Sequence, residues 1–266
     1  MFMKFIDCHT HLDSERYGDE VDLIVERAKK AGAVTIITSG VNPSSNRKVL
    51  EFSKKYDIVK CSFGLYPVDS IADKIDDLGD DVARYVEKFD VETELKWIEE
   101  NIESCVAIGE IGLDDKILPD TLPLQEKVFI KALRLAKKLD KTVVIHSRKA
   151  EARAIEIMEE EGMKKVMMHC FQGKKSLIKK CVELGWFFSI PAVIKRLDHF
   201  KMMAEIVPIE NLVTETDAPY LSPVAGERNE SMNVVVTIKE IAGIKELEEE
   251  DVAKKMFNNA KRLFNL

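Results

Sequence analysis

The sequence predicts a (β/α)8 barrel, a TIM-like α/β fold, that occupies residues 1–266 as a single domain. Three observations predict it. The chain has 266 residues, and barrels of this class are typically about 250 residues long. Eight short apolar runs recur along the whole chain, and stretches of helical period separate them. Strands that alternate with helices are typical of a parallel sheet. An open, doubly wound sheet is the alternative fold.

The predicted strands are short runs of apolar residues, as expected for strands buried on both faces. They cover residues 5–8, 34–38, 59–63, 106–109, 142–145, 166–168, 186–189 and 212–214. The intervening stretches are amphipathic. In residues 122–139, for example, Val128, Leu135 and Leu139 share one apolar stripe and Arg134 falls on the wet face. Each apolar run together with the amphipathic stretch after it is therefore predicted to form one strand–helix unit of the barrel.

Two further segments extend the eight units. Residues 69–90 are rich in acids and poor in apolar residues, which predicts an insertion, a loop with a helix, after the third strand. Residues 248–264 begin with acids and end with basic residues, the arrangement that the helix dipole favours. We therefore expect a closing helix at the end of the chain.

The composition is that of a globular protein, with 45% hydrophobic and 33% charged residues. Forty Lys and Arg stand against 47 Asp and Glu, which gives a formal charge of −7. That balance argues against a protein that coats nucleic acid nonspecifically, because such binding depends on many contacts between basic side chains and phosphates. An enzyme with a local positive site is still compatible with it.

Cysteine content and hydropathy indicate the compartment. The chain has five cysteines, an odd number, without a CxxC pair. This argues against a disulfide scaffold and favours a reducing environment. The first residues lack the long apolar region of a signal peptide, and no apolar run reaches the ~18 residues that a membrane span needs. We therefore expect a soluble, cytoplasmic protein with no membrane contact.

The strongest local motif lies at the end of the first predicted strand. Side chains alternate between the two sides of a strand, so Asp7, His9 and His11 should share one side. Two imidazoles at that spacing can bind one metal ion. The alternative is a pair of hydrogen-bonded histidines with no ligand.

Four more candidate ligands follow other predicted strands. Glu110 follows the fourth strand, His146 the fifth, His169 the sixth, and Asp217 lies just beyond the eighth. In a (β/α)8 barrel, the carboxyl ends of the strands surround one active-site mouth. The pattern thus predicts that four imidazoles and two carboxylates meet there.

Six ligands exceed what a single tetrahedral catalytic ion needs, and they suit two divalent ions that share a carboxylate. Glu110 is the natural bridge because its strand lies in the middle of the series. A mixed set of nitrogen and oxygen donors fits Zn²⁺, Mn²⁺ or Co²⁺, while Mg²⁺ prefers oxygen. Such ions would lower the pKa of water and polarise a scissile ester or amide.

Three side chains are candidates for catalysis and substrate binding. Asp217, the last acid at the rim, could accept a proton from water as well as bind metal; the alternative is a turn residue before Pro219. Arg148 and Arg228 offer planar guanidinium groups suited to phosphate. The alternative for each is a surface ion pair, and Arg228 is the weaker candidate.

The sequence resembles the TatD family of metal-dependent hydrolases, within the wider amidohydrolase superfamily. The matching motifs are FIDCHTH (5–11), IGEIGLD (108–114), VIHSR (144–148), MHCFQG (168–173), ETDAPY (215–220) and GERNE (226–230). Gln125, Phe129 and Ala136, on the predicted helix before His146, also match the family's pattern. They occur in the family's order from residue 5 to about residue 230.

The resemblance implies a TIM-like barrel, a two-metal site and hydrolysis of ester bonds. By motif position, His9 and His11 would hold one metal and His146 and His169 the other. Glu110 would bridge the two metals. Asp217 would complete the site and act in proton transfer. Many members of the family are described as deoxyribonucleases, often 3′-to-5′ exonucleases acting on single-stranded ends. Others are linked to the removal of D-amino acids from tRNA.

Two positions depart from the family's pattern. The family usually has Gly-x-His-Pro after the third strand, and this chain has Tyr66 in place of the histidine. A tyrosine is a poor substitute as a metal ligand or proton carrier at neutral pH, because its pKa is near 10. After residue 114, where an aromatic residue is usual, this chain has Asp115. Both changes lie near the expected substrate and outside the six ligands.

Three functions are therefore compared. The leading prediction is a two-metal phosphodiesterase, a TatD-like DNase that trims single-stranded DNA or RNA ends and has no evident obligate protein partner. The second keeps the site but changes the bond to a carboxylic ester, lactone, amide or D-aminoacyl-tRNA. The third is a non-enzymatic scaffold that has kept a metal site for stability, against which the complete ligand set argues.

Overall fold

Eight parallel strands form the centre of the protein in a computed structural model that describes residues 3–75 and 86–266. Each strand pairs with the next one in sequence, in the order β1 to β8. This order confirms the predicted (β/α)8 barrel. The strands are β1 Phe5–Thr10, β2 Ala33–Ser39, β3 Val59–Leu65, β4 Cys105–Asp114, β5 Thr142–Arg148, β6 Val166–Met168, β7 Phe187–Ile190 and β8 Leu212–Thr214.

The helices form the outer layer. They are α1 Val21–Ala31, α2 Pro43–Lys55, α3 Val91–Glu100, α4 Leu122–Lys138, α5 Glu151–Glu160, α6 Lys175–Glu183, α7 Asp198–Ile206, α8 Val234–Lys245 and α9 Glu249–Phe264. Sequence signals explain their starts and ends. Asn42 caps α2 by accepting a hydrogen bond from the Ser45 amide, and Pro43 follows it as the first helical residue. Gly32 ends α1 in a left-handed conformation.

None of the described helices is both long enough and apolar enough to cross a membrane.

The barrel closes between β8 and β1. The Thr214 hydroxyl donates to the carbonyl of Ile6 at 2.6 Å, and the His11 amide donates to the carbonyl of Ala218 at 2.8 Å. Thr10 and Ala218 also form a parallel bridge. The hydrogen bond from the His11 amide and the bridge between Thr10 and Ala218 lie at the carboxyl ends of the strands. The closure therefore brings the histidine pair of β1 beside the segment that carries Asp217.

A small apolar cluster fills the barrel interior. It joins residues of seven strands, from Ile6 and Cys8 on β1 to Val213 on β8, with the last turns of α9. The predicted closing helix is confirmed, and it covers the amino-terminal end of the barrel. Thr142, at the start of β5, donates to the carbonyl of Leu263 at 2.5 Å. The opposite, carboxyl end is thereby the open end of the barrel.

The strand that carries Glu110 is longer than the sequence predicts. We expected Glu110 to follow a strand ending at Gly109, but β4 continues to Asp114. Its register shifts against β3 between Phe63 and Leu65, and against β5 between Ile108 and Ile111. Irregularities of this kind redirect a side chain. The polar Glu110 and its flanking glycines break the apolar run, which is why the strand looked shorter.

The predicted insertion after β3 is only partly described. Asp69–Lys74 forms a short 3-10 helix whose first four residues are buried. Residues 76–85 lie outside the described part of the chain, and residues 86–90 lead into α3. The N-terminus of α3 is capped by Asp90, which accepts a hydrogen bond from the amide of Thr93.

We predict that Gly112→Ala strongly destabilises the barrel. Gly112 has a φ of +144°, and an added Cβ would lie 1.8 Å from the carbonyl oxygen of His146 on the neighbouring strand. Neither backbone can yield without breaking the ladder. We expect a loss of about 3 kcal/mol or a failure to fold, measured by urea denaturation. Gly243→Ala is the control, because Gly243 lies in α8 with open space around its Cβ position. Equal stability of the two variants would contradict the prediction.

Candidate metal centre

The six predicted ligands meet at the carboxyl end of the barrel. His9 lies in β1, Glu110 in β4 and His146 in β5, while His11, His169 and Asp217 directly follow or lie near the ends of β1, β6 and β8. Asp217 is held with a φ of +55°, and its amide donates to the carbonyl of His9 at 3.0 Å. The fifth histidine, His199, lies apart from them and faces the carbonyl of Phe171.

Four of the side chains bring ligand atoms together, and five of the six distances among these atoms suit one tetrahedral ion. The Nε2 atoms of His9 and His11 are 3.2 Å apart. Each lies 3.5 Å from Oε2 of Glu110, and they lie 3.5 and 3.4 Å from Oδ1 of Asp217. A tetrahedral ion with ligand bonds near 2.1 Å separates its ligands by about 3.4 Å. This set of donors therefore fits one divalent ion.

The other oxygen of Glu110 faces a second group. Its Oε1 lies 2.8 Å from Nδ1 of His146 and 3.8 Å from Nε2 of His169. Glu110 is thus the carboxylate that both groups share. Among the described residues, the two most compact sets of potential ligands are His9, Glu110 and His169, and His9, His11 and Asp217. These two sets share His9 and leave out His146, so the sharing of Glu110 rests on the distances of its two oxygens.

Every histidine has a partner on its outer nitrogen. Nδ1 of His9 lies 3.1 Å from the Ser39 hydroxyl, and Nδ1 of His11 lies 3.2 Å from the Ser39 carbonyl.

The outer nitrogens of His146 and His169 face carboxylates. Nε2 of His146 lies 3.0 Å from Asp114, and Nδ1 of His169 lies 2.7 Å from Glu215. A carbonyl or carboxylate takes the proton of the nitrogen it faces, which leaves the other nitrogen as a lone-pair donor. For His11, His146 and His169, the outer partners thus direct the lone pair of the neutral ring toward the shared carboxylates.

Sequence reasoning missed the supporting carboxylates. Asp114 ends β4, and its Oδ1 also accepts from the amides of Lys116 and Ile117. Glu215 is fully buried and also accepts from the Ser189 hydroxyl. Both carboxylates lie at the carboxyl ends of strands, and that position is the signal that could have found them.

The predicted alternation on β1 is not regular. The pairing with β2 is interrupted between Asp7 and Thr10. The buried Asp7 carboxylate accepts hydrogen bonds from the amide and hydroxyl of Thr216, at 2.9 and 2.6 Å. Asp7 therefore anchors the segment before Asp217, although simple alternation placed it on the side of the histidines.

Charge coupling dominates the titration of the site. Burial opposes ionisation of Asp217 and Glu110, but the neighbouring histidines outweigh it and hold both pKa values well below their usual range. Burial likewise lowers the pKa of His11, yet Asp217 and Glu110 raise it to about 9. For His169, burial is outweighed by Glu215, which raises the pKa to about 10. Burial and the charge of His169 lower the pKa of His9.

We predict that metal binding releases protons. At pH 7 the rings of His11 and His169 carry protons in the metal-free protein, because their pKa values are about 9 and 10. A histidine must be neutral to bind a metal ion, so raising the pH from 6 to 8 lowers the concentration of protons that compete for these rings and should strengthen binding. The gain should level off as the pH passes the two pKa values, about 9 and 10. Calorimetric titration with Zn²⁺ in buffers of different ionisation enthalpy should count about two protons released. Affinity and heat that do not depend on pH or buffer would contradict this.

Tyr66 lies within the site. Its hydroxyl donates to Oδ2 of Asp114 at 3.0 Å and lies 3.4 Å from Nε2 of His146. The tyrosine therefore shares one carboxylate oxygen with a candidate ligand. It occupies the side of the centre formed by β3, β4 and β5.

The two predicted substrate arginines differ. Arg148 ends β5, is exposed, and forms no ion pair with any residue in the described ranges. Arg228 contacts Glu20 at 2.7 Å and Glu230 at 3.5 Å, and its guanidinium lies over the ring of Tyr17. A substrate would have to compete with these carboxylates, so the substrate-binding role of Arg228 stays a prediction. Arg148 is the arginine available to bind an anion.

Comparison with known proteins identifies relatives along the whole chain. The model of the family described as TatD related DNase matches residues 6–265. A protein of Methanocaldococcus jannaschii described as an uncharacterized metal-dependent hydrolase is 35% identical, over 98% of this chain and 97% of its own length. Human deoxyribonuclease TATDN3 is 31% identical, over 97% of this chain and 94% of its own length.

The fold agrees with solved structures. The crystal structure of YJJV, a TatD homolog from Escherichia coli, superimposes with a TM-score of 0.85 and covers 100% of both chains at 23% identity. A TatD family hydrolase from Entamoeba histolytica also gives a TM-score of 0.85, at 21% identity. At these identities, the similarity supports the barrel fold and carries no further argument.

Proposed function

Because the chain belongs to the TatD related DNase family, we propose that it is a metal-dependent hydrolase that removes nucleotides from single-stranded nucleic-acid ends. Two divalent ions, Zn²⁺, Mn²⁺, Co²⁺ or Mg²⁺, would serve as cofactors. His9, His11, Glu110 and Asp217 would hold the first ion. The second would lie between Glu110, His146 and His169.

One observation carries the proposal. The two oxygens of a single carboxylate, Glu110, face two different sets of imidazole nitrogens. Outer partners direct the lone pairs of His11, His146 and His169 inward. Glu110 and Asp217 hold two negative charges, which protonated His11 and His169 balance in the metal-free protein. When those rings are neutral, a bound cation would supply the balancing charge. A structural ion pair would not need four imidazoles around two carboxylates.

The protein's side chains have distinct tasks in hydrolysis. When bound, divalent ions polarise a phosphoryl oxygen and lower the pKa of water. Asp217 accepts the proton of the attacking water, since its carboxylate is 15% exposed, against 4% for Glu110. Glu110 keeps the two sets of ligands at a fixed separation. Arg148, at the end of β5, binds a phosphate of the substrate through its planar guanidinium.

The test is cleavage of single-stranded DNA and RNA labelled at the 5′ or the 3′ end, with Mn²⁺, Mg²⁺, Zn²⁺ or Co²⁺. We expect stepwise shortening from one end that stops with chelator. The Glu110→Gln variant, purified in the same way, controls for contaminating nucleases. Absence of shortening with every ion would refute the proposal, and so would equal activity of the variant and the wild type.

A second candidate keeps the same centre but cleaves a carboxylic ester, lactone, amide or D-aminoacyl-tRNA bond. The observation that favours it is Tyr66, whose hydroxyl lies in the site where the family usually has histidine. A panel of lactones and aminoacyl esters tests it. Turnover well above that of nucleotide substrates would favour this candidate, and cleavage of nucleotide esters alone would exclude it.

A further inference from the structure

The mouth of the barrel is divided by charge. The loops after β5, β6 and β7 carry six exposed basic residues and no carboxylate in residues 146–150, 169–175 and 190–197. We call this group the basic rim. It consists of Arg148, Lys149, Lys174, Lys175, Lys195 and Arg196. We propose that the basic rim binds the phosphate backbone of a single-stranded nucleic acid and sets the direction in which the strand leaves the site.

The basic rim is continuous with the metal centre. Its three loops follow neighbouring strands of the barrel. Arg148 lies two residues after His146, and Lys174 lies five residues after His169. Arg196 donates to the carbonyl of Ser222 at 3.2 Å, which ties the third loop to the segment after Asp217. A strand whose end lies at the ligands would therefore meet the basic rim over its next nucleotides.

The basic rim has a carboxylate at its border but, among the described residues, no ion pair. Oε1 of Glu151 accepts from the backbone amide of Lys149 at 3.3 Å. Within residues 3–75 and 86–266, none of the six side chains forms an ion pair. Elsewhere, basic side chains are commonly paired, as Arg153 is with Glu126 and Arg134 with Glu161. Cations on neighbouring loops repel each other when no carboxylate pairs with them, so a polyanion that binds them relieves this repulsion as well as gaining phosphate contacts.

The rest of the mouth would repel the same ligand. In the described part of the chain, acids outnumber basic residues in each of the loops after β1, β3, β4 and β8. The protein as a whole carries a charge of −7. A single strand is thus attracted over one side of the mouth and repelled from the other. This inference rests on the proposed function, because it assigns a path to the substrate of the same site.

The experiment removes three charges from the basic rim in the full-length protein, as Lys174→Gln, Lys175→Gln and Lys195→Gln together. The matched control is Lys30→Gln, Lys54→Gln and Lys127→Gln, three exposed lysines on α1, α2 and α4. The affinity for a labelled 20-nucleotide single-stranded DNA is measured in EDTA, which prevents cleavage, at several salt concentrations. Thermal melting checks that both variants are folded.

We expect the rim variant to bind at least about 10-fold more weakly at low salt. The slope of log affinity against log salt should fall by about 2, because each phosphate contact to a single strand contributes about 0.7. An affinity and slope equal to those of the control variant would overturn the proposal, even if the wild type cleaves DNA. If binding depends on the basic rim but no nucleic acid is cleaved, the rim is supported and the proposed function fails.

Discussion

Glu110→Gln is expected to abolish hydrolysis, with a fall in kcat of about 10³-fold or more. The substitution keeps the size of the side chain and removes one negative charge. It also replaces one of the two oxygens by an NH2 group, which donates hydrogen bonds and does not bind cations. The variant should hold fewer metal ions per chain than the wild type, as measured by elemental analysis.

The geometry explains why this single change should have so large an effect. Oε2 of Glu110 lies 3.5 Å from the Nε2 atoms of both His9 and His11. Its Oε1 lies 2.8 Å from Nδ1 of His146. Whichever way the amide is turned, its nitrogen faces one of these groups. One of the two sets of ligands therefore loses its carboxylate.

Glu94→Gln is the matched control, since Glu94 is equally buried and pairs with Arg47, outside the metal centre. It should leave metal content and kcat unchanged, although it can lower stability. Wild-type metal content in Glu110→Gln would show that Glu110 is not shared between two ions. Wild-type kcat would show that it takes no part in catalysis.

The fold could be predicted because a strand that is buried on both faces consists of a short run of apolar residues. All eight runs are strands in the structure, and the periodic segments such as 122–139 and 248–264 are helices to within one residue. The predicted end of β4 was wrong because residues of the metal centre interrupt the apolar run there. From Gly109 onward, β4 carries two glycines and two acids, Glu110 and Asp114, so a pattern of apolar residues could not place its end at Asp114.

The four histidine ligands were accessible to sequence reasoning because histidine is rare in this chain, and Glu110 and Asp217 were found from their places at or just beyond the ends of predicted strands. Only five histidines are present, so four at strand ends form a noticeable pattern. Their supporting carboxylates were not accessible in this way. Asp114 and Glu215 belong to a set of 47 acids, and only the tertiary structure shows which acid faces which ring.

Long-range partners limited the prediction for the arginines as well. Arg228 pairs with Glu20, more than 200 residues away in sequence, and no local pattern reveals that pair. Arg148 has no such partner in the described structure, although both arginines fall in motifs that match the family's pattern. The difference between a free and a compensated arginine is set by the tertiary contacts of the loop in which it lies.

Asp217→Asn is expected to lower kcat by about 10²- to 10⁴-fold, the range over which a general base contributes, with a smaller effect on KM. Asparagine retains an oxygen that can face His9 and His11, which lie 3.5 and 3.4 Å from Oδ1 of Asp217. It cannot accept a proton from water. Metal content should therefore fall less than in Glu110→Gln, while the proton-transfer step is lost.

Asp140→Asn is a suitable control for this variant, because Asp140 also has a positive φ, of 52°, and lies on the surface at the end of α4. Asparagine tolerates the left-handed conformation at both positions, so backbone strain should not differ between the two variants. Steady-state kinetics over a range of metal concentrations separates the two roles of Asp217. If excess metal restores the kcat of Asp217→Asn, Asp217 serves only as a ligand; if kcat stays low at full metal occupancy, Asp217 is the proton acceptor.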